Sequence, residues 1–189
     1  MENSIISWEK FLLENGDVEF VWLRFMSYTS NALVRIIPRL KFTRMLKEGK
    51  LLSMTKAVLH VLPGDLLAEG ASPTGTLYLR PDLSTVHCQA MSNGTRAVVS
   101  VDCVDKTGTP IAECARSKLQ DLHHSLQQET GCTLLVGFEV EVMFLRPKKQ
   151  EGTIVDYEAV NTQHGFTSMT PEDYDYLYLI EAVARALSE

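Results

Sequence analysis

The chain has 189 residues, of which 45% are hydrophobic and 22% charged, a balance typical of a folded globular protein. With 18 basic and 24 acidic residues the net charge is -6, which excludes a protein held mainly by nucleic-acid phosphates. No apolar run approaches the roughly 20 residues that cross a bilayer, and the N-terminus lacks a signal-peptide pattern. We therefore expect a cytoplasmic protein with neither a nucleic-acid nor a membrane partner.

The first third of the chain predicts helices flanking a pair of strands. In order, these are a helix at 7–16, strands at 18–25 and 32–37, a helix at 41–48 and an extended stretch at 51–62. Ser7 is suited to cap the first helix, and Gly16 and Gly49 are suited to end the two helices. β-branched and aromatic residues fill the first strand, and Pro38 ends the second.

The middle of the chain predicts two further strands and a long helix. The strands cover residues 76–80 and 96–104, and the helix covers 115–129. Pro81 is expected to stop the first strand, and a polar turn at 105–110 follows the second. Leu119, Leu122 and Leu126 share one face of the helix.

The last part predicts a long strand at 133–145, a polar connection at 151–163 and a terminal helix. Thr170, Pro171 and Asp173 have the types and spacing of a helix start. The helix then has an apolar stripe formed by Leu177, Ile180, Val183, Ala184 and Leu187. A chain of this size offers little to cover both that stripe and the long strand, so we expect an exposed apolar patch that binds a hydrophobic dye.

Two glutamates of the long strand are the candidate metal ligands. Because side chains alternate along a strand, Glu139 and Glu141 point to the same face, about 6.6 Å apart. Carboxylates at this spacing can hold one divalent ion or two adjacent ones, and their oxygens suit Mg²⁺ or Mn²⁺. The alternative is that both glutamates form the solvated face of an amphipathic strand, within an α+β domain of unrelated function.

The four cysteines predict neither a zinc site nor a disulfide framework. Cys88, Cys103, Cys114 and Cys132 are widely spaced, and no two of them form a C-x-x-C pair. We interpret them as buried free thiols.

Several segments in the right order resemble the glutamine synthetase family. The sequence GFEVEVMFL at 137–145 resembles that family's G-x-E-x-E-F-x-L strand, and 76–85 resembles its L-x-P-D-x-S-T segment. Residues 18–38, 47–52 and 111–119 are similar to its opening strands, its helix-to-strand junction and a later helix entry. The terminal helix and 164–166 resemble the glutamine-synthetase-like proteins of fungi and bacteria.

The resemblance implies an α+β fold and a division of the chain into three parts. These are an N-terminal helix at 1–16, a β-grasp-like domain at 17–105, and the first strand and helix elements of a glutamine-synthetase catalytic domain at 106–189. The rest of that catalytic domain is missing from the chain.

The resemblance also implies an activity in glutamine biosynthesis and nitrogen metabolism. The family is an ATP-dependent ligase that converts a carboxylate, glutamate or an analogue, to an acyl phosphate that ammonia or an amine attacks. Glu139 and Glu141 would be ligands of its Mg²⁺ or Mn²⁺ ions, and ATP its cosubstrate. Its active sites lie between the subunits of a ring, which implies a homo-oligomer or association with a full-length subunit.

Two departures from the family pattern limit what this chain can do. Residues 53–56, Ser-Met-Thr-Lys, replace the Asp-Gly-Ser-Ser loop that helps the family to bind ammonia. The remaining metal ligands and the ATP- and substrate-binding arginines belong to sequence beyond Glu189. We expect no catalytic residue within the chain and no ligation by the chain alone. The alternative is a degenerate, non-catalytic relative that acts as an assembly or binding module.

Overall fold

The chain folds into two units, residues 1–134 and 135–189. The computed structural model describes residues 2–89, 92–160 and 174–188. The helices are α1 (Glu2–Glu14), α2 (Arg39–Lys47), α3 (Ala115–Thr130) and α4 (Tyr174–Ser188). The strands are β1 (Phe20–Met26), β2 (Ala32–Pro38), β3 (Leu52–Thr55), β4 (Val61–Leu62), β5 (Leu66–Leu67), β6 (Thr76–Cys88), β7 (Arg96–Val104), β8 (Leu145–Gln150) and β9 (Thr153–Ala159).

A five-stranded mixed sheet, in the order β2-β1-β7-β6-β3, organises the first unit. β1 and β7 are parallel, and every other neighbouring pair in the sheet is antiparallel. Both faces of β7 are buried along most of its length, as expected for the central strand. This sheet, with α2 following its first strand pair, confirms the predicted α+β class and has a β-grasp-like order.

The core of the first unit lies between one face of the sheet and the helices α1 and α2. Val21, Leu23 and Phe25 alternate inward from β1 and meet Phe42 of α2. Trp8 of α1 is fully buried, packs edge-on against Phe42 at a ring-centroid distance of 5.0 Å, and donates a hydrogen bond to Thr43 Oγ1. An indole of this kind buries about 200 Å², roughly 5 kcal/mol of hydrophobic stabilisation.

Several local predictions are confirmed in this unit. Strands β1, β2 and β7 and helices α2 and α3 lie within about two residues of their predicted positions. Gly49 has a φ of +63°, as expected of the residue that stops α2. Two details are wrong. Helix α1 is already formed at Glu2, so Ser7 is not its cap, and the stretch predicted as extended contains a 3₁₀ helix, Lys56–His60.

The predicted end of a strand at Pro81 is also wrong, because β6 continues through it to Cys88. Strand β3 pairs only with residues 76–79, so from Arg80 onward one side of β6 is an edge. A proline is tolerated there, since its missing N–H leaves no partner strand without a donor. A β-bulge between Asp82 and His87 then shifts the register against β7.

Among its described residues, the second unit contains the β8–β9 hairpin and α4. The connection predicted at 151–163 is wrong over its first half, since Glu151 and Gly152 form a tight turn and β9 follows directly. Helix α4 is confirmed, although Thr170, Pro171, Asp173 and residues 164–166 lie outside the described residues. Its apolar stripe is largely exposed, with Val183 at 51% and Leu187 at 83%.

Candidate functional site

Glu139 and Glu141 do not lie on a strand. The segment 131–144 has no regular secondary structure, and the predicted strand at 133–145 is wrong up to its last residue, where β8 begins. The alternating side chains between and around the two glutamates are exposed as well, with Phe138 at 90% and Val140 at 84%. Alternation describes which side chains could share a face, but a strand forms only when a neighbour satisfies its backbone hydrogen bonds.

The two glutamates do not make a metal site by themselves. Both side chains are exposed, and in the parts of the chain that the structure describes no group of three His, Cys, Asp or Glu side chains is placed to hold a metal ion. Mg²⁺ requires about six oxygen ligands in octahedral geometry, and two carboxylates supply only part of that set. The described residues therefore do not fit a resident divalent ion, and the role of Glu139 and Glu141 as ligands stays a prediction.

The first unit contains a network of charged side chains that joins α3 to the sheet, the Asp82–Asp102 charge cluster. It consists of Arg80, Asp82, Asp102 and Arg116. Arg116 Nη1 donates to Asp102 Oδ1 at 2.8 Å and its Nη2 donates to Asp82 Oδ2. Arg80 Nη2 donates to Asp102 Oδ2 at 3.1 Å, so Asp102 accepts from both guanidinium groups.

The positions of these four side chains follow from the strand register. Arg80 stands directly opposite Asp102 in the antiparallel β6–β7 pair, and Asp82, two residues on, shares its face. Arg116 is the second residue of α3, so its side chain reaches the same face from the helix start. Arg80 also donates to the Gly108 carbonyl at 3.0 Å, which fixes the turn between β7 and α3.

Electrostatically, the Asp82–Asp102 charge cluster is close to neutral and partly dehydrated. Burial raises the pKa of Asp82, but hydrogen bonds from Ser84 and Arg116 outweigh it and hold the pKa below the ordinary aspartate value. The Asp102 side chain is only 11% exposed. Since each guanidinium faces a carboxylate, the arginines are engaged in holding the fold rather than presented to an anionic ligand.

A second ion pair connects the 3₁₀ helix after β3 to the segment before α3. Lys56 Nζ lies 2.5 Å from Glu113 Oε1. Burial raises the pKa of Glu113, but the hydrogen bond and charge of Lys56 lower the pKa by more. The pKa therefore lies below the ordinary glutamate value, and the carboxylate stays ionised at neutral pH. Its other oxygen, Oε2, is buried and has no hydrogen-bond partner within the described part of the chain. Lys56 belongs to the stretch 53–56, which has no carboxylate of its own, and it is paired with the carboxylate of Glu113.

Sequence reasoning assigned no role to these charged residues. The alternation of Arg80 and Asp82 around Pro81 is a signal for two charged side chains on one strand face, but it is readable only where the strand continues through the proline. Asp102 sits in a run of apolar residues, where a lone carboxylate implies a buried partner. The identity of that partner, Arg116, depends on how α3 returns to the sheet.

Among residues 2–89, 92–160 and 174–188, no helix is both long and apolar enough to span a bilayer.

The chain is similar to known proteins in both sequence and fold. No protein-family model matches the sequence. Protein fluG of Emericella nidulans is 33% identical to the chain over 181 residues, which cover 95% of this chain and 21% of that protein. The crystal structure of a novel glutamine synthase homologue is similar over 59% of this chain and 27% of that one, with a TM-score of 0.50 and 21% sequence identity.

The similarity covers only part of each relative. The chain has the fold of part of a glutamine synthase homologue, in agreement with the predicted α+β class. It spans about a fifth of protein fluG and about a quarter of the glutamine synthase homologue.

Proposed function

We propose that this chain is the N-terminal portion of a glutamine-synthetase-like, ATP-dependent carboxylate–amine ligase and has no ligase activity alone. The observation that carries the proposal is the mixed sheet β2-β1-β7-β6-β3 with α2, a fold similar to part of a glutamine synthase homologue. The E-x-E pattern of Glu139 and Glu141 supports it independently of the fold. Because one fold can host several chemistries, the activity requires a direct test.

The proposed organisation of the chain follows the resemblance. The N-terminal helix extends to residue 16, the β-grasp-like domain covers 17–105, and the catalytic-type part begins at 106. Glu139 and Glu141 supply two of the carboxylates for Mg²⁺ or Mn²⁺, and the other ligands come from sequence that this chain does not contain.

The reaction class is amide formation driven by ATP. The carboxylate of glutamate or an analogue accepts the terminal phosphoryl group, and ammonia or an amine then attacks the acyl carbon and displaces phosphate. The proposal places the protein in the cytoplasm, as a homo-oligomer or in association with a full-length subunit. Nucleic acid is not a proposed partner, in keeping with the net charge of -6.

The test uses the native gene product in the length that its source cells make. Its intact mass is compared first with 21.2 kDa, the mass of this chain. The purified product is then assayed for ATP- and Mg²⁺-dependent formation of the hydroxamate from glutamate and hydroxylamine. Glu141→Ala is expected to reduce the rate about a hundredfold or more, because a metal ligand contributes several kcal/mol to transition-state stabilisation.

A matched control is Glu181→Ala, which removes an exposed glutamate from α4 in the same unit and is expected to leave the rate unchanged. If the native product binds no ATP, or if both alanine variants have equal activity, the ligase proposal is wrong.

A second candidate function is a non-catalytic assembly module, and the exposed apolar side chains favour it. On α3, Leu119 and Leu122 are exposed by 63% and 62%. Apolar side chains left on one helix face are typical of a surface that another protein covers. This candidate predicts that assembly of the native product survives the double variant Glu139→Ala, Glu141→Ala. Loss of assembly in that variant would contradict it.

A further inference from the structure

Two of the four cysteines meet at the end of the central strand, although 11 positions separate them in the sequence. Cys103 is the penultimate residue of β7, and Cys114 immediately precedes α3. The turn at 105–110 folds the chain back, and the Ile111 N–H donates to the Cys103 carbonyl at 3.1 Å. As a result, the Cys114 sulfur accepts a hydrogen bond from the Cys103 backbone N–H at 3.2 Å.

The environment makes the two thiols unequal. A hydrogen bond from the Cys103 thiol lowers the pKa of Cys114 to about 5. The Ser117 hydroxyl, 3.2 Å from the Cys114 sulfur, also lowers this pKa, whereas burial raises it. The hydrogen bond between the two cysteines raises the pKa of Cys103. The N-terminal end of α3 also favours a negative charge at Cys114. These effects favour the thiolate form at Cys114 and the protonated form at Cys103.

A pocket gives solvent access to this otherwise buried pair. Both cysteines are at most 5% exposed, but both line a pocket of about 260 Å³ that Arg24, Met26, Ala32 and Arg116 also line. This volume admits a small neutral oxidant. Two features of this pocket, a thiol at the start of α3 and a second cysteine whose backbone N–H contacts that sulfur, are typical of redox-responsive cysteine pairs.

We propose that Cys103 and Cys114 are a peroxide-oxidised dithiol, in which Cys114 is the attacking and Cys103 the resolving cysteine. The Cys114 thiolate attacks one oxygen of hydrogen peroxide, the O–O bond breaks, and hydroxide leaves, so that Cys114 becomes a sulfenic acid. The Cys103 sulfur then attacks the Cys114 sulfur and displaces hydroxide, which leaves as water with the Cys103 proton. Two electrons pass from the two sulfurs to the peroxide, and an added dithiol reverses the change by exchange.

The disulfide would join the end of β7 to the start of α3, beside the Asp82–Asp102 charge cluster. This inference does not depend on the proposed ligase activity, since it rests only on residues of the first unit.

Tryptic mapping tests the proposal. The reduced chain is treated briefly with equimolar hydrogen peroxide, and the remaining thiols are alkylated before digestion. Trypsin places Cys103 in peptide 97–106 and Cys114 in peptide 107–116, so their linkage is read directly as one cross-linked species. We expect that species to dominate, to have lost two hydrogen atoms, and to disappear after dithiothreitol. Linkage no faster than in the same chain unfolded in urea would overturn the proposal, because the folded geometry would then contribute nothing.

Variants separate the two roles. In Cys103→Ser, dimedone is expected to label peptide 107–116, whereas Cys114→Ser is expected to leave Cys103 reduced. The control Cys132→Ser removes an exposed thiol and is expected to link as the unaltered chain does. In this control the linkage rate should fall about tenfold per pH unit below about pH 5, since only the thiolate reacts.

Oxidation confined to Cys88 or Cys132, with Cys103 and Cys114 still alkylated, would also overturn the proposal. Circular dichroism checks that each variant is folded. If a serine variant at either paired cysteine does not fold, the mapping of the unaltered chain and of Cys132→Ser decides the question.

Discussion

Replacing Asp102 by asparagine should weaken the first unit, because this carboxylate holds two guanidinium groups at once. It accepts from Arg116 at 2.8 Å and from Arg80 at 3.1 Å. Each charge-assisted hydrogen bond contributes about 1.5–3 kcal/mol when well shielded. The two arginine side chains are 29% and 43% exposed, and each keeps another acceptor, so solvent screening reduces the sum. We expect Asp102→Asn to lower the free energy of unfolding by about 2 kcal/mol in total.

Urea unfolding followed by tryptophan fluorescence measures this loss in the relevant unit, since Trp8 and Trp22 both lie in the first unit. With a urea dependence of about 2 kcal/mol per molar, the midpoint should fall by about 1 M at unchanged slope. Asp121→Asn, which neutralises an exposed carboxylate on α3, is the matched control and should change stability by less than about 0.5 kcal/mol. Equal midpoints for the two variants would refute the stabilising role of the Asp82–Asp102 charge cluster.

Three further changes have outcomes that the structure predicts. Trp8→Ala should lower the free energy of unfolding by about 3–5 kcal/mol in the same urea assay, because a fully buried indole and its hydrogen bond to Thr43 are lost. Burial raises the pKa of Asp82, but its hydrogen bonds lower the pKa by more, so in the folded protein it lies below the unfolded value of about 3.9. The stabilisation of the fold by the ionised Asp82 is therefore complete above about pH 5 and is lost as the pH falls. Calorimetric melting temperatures between about pH 2 and pH 6 should therefore decline less steeply in Asp82→Asn; an unchanged slope would contradict this reasoning. The double variant Leu119→Ser, Leu122→Ser should reduce binding of a hydrophobic dye and keep stability within about 1 kcal/mol, and a larger loss would mean that these leucines are packed.

Local sequence signals were sufficient for the elements whose stability is mainly local or whose partners are close in the chain. β1 and β2 are adjacent and antiparallel, so the β-branched runs and the polar turn between them predict both strands. Helix α2 was predictable because Gly49 can adopt a positive φ and end it. The α+β class followed from the same signals.

The predictions failed where a segment's structure depends on a distant neighbour. Pro81 was expected to stop a strand, yet β6 continues because β3 pairs with it only up to Leu79. The alternation around Glu139 and Glu141 predicted a strand, yet no neighbouring strand pairs with that segment in the described structure. Glu151 and Gly152 form the turn of the β8–β9 hairpin with positive φ values, and a glycine between two short strands is a local signal for such a turn.

The sequence by itself determined the class of the fold and the order of strands β1, β2 and β7 and helices α1 to α4. It also indicated Glu139 and Glu141 as candidate metal ligands, a role that stays a prediction. Only the tertiary structure decided that Arg80, Asp82, Asp102 and Arg116 form one network and that Cys103 and Cys114 share one pocket. Strand register and the return of α3 onto β7 set these contacts. Such pairings depend on backbone hydrogen bonds between residues far apart in the chain, which no local pattern of side chains encodes.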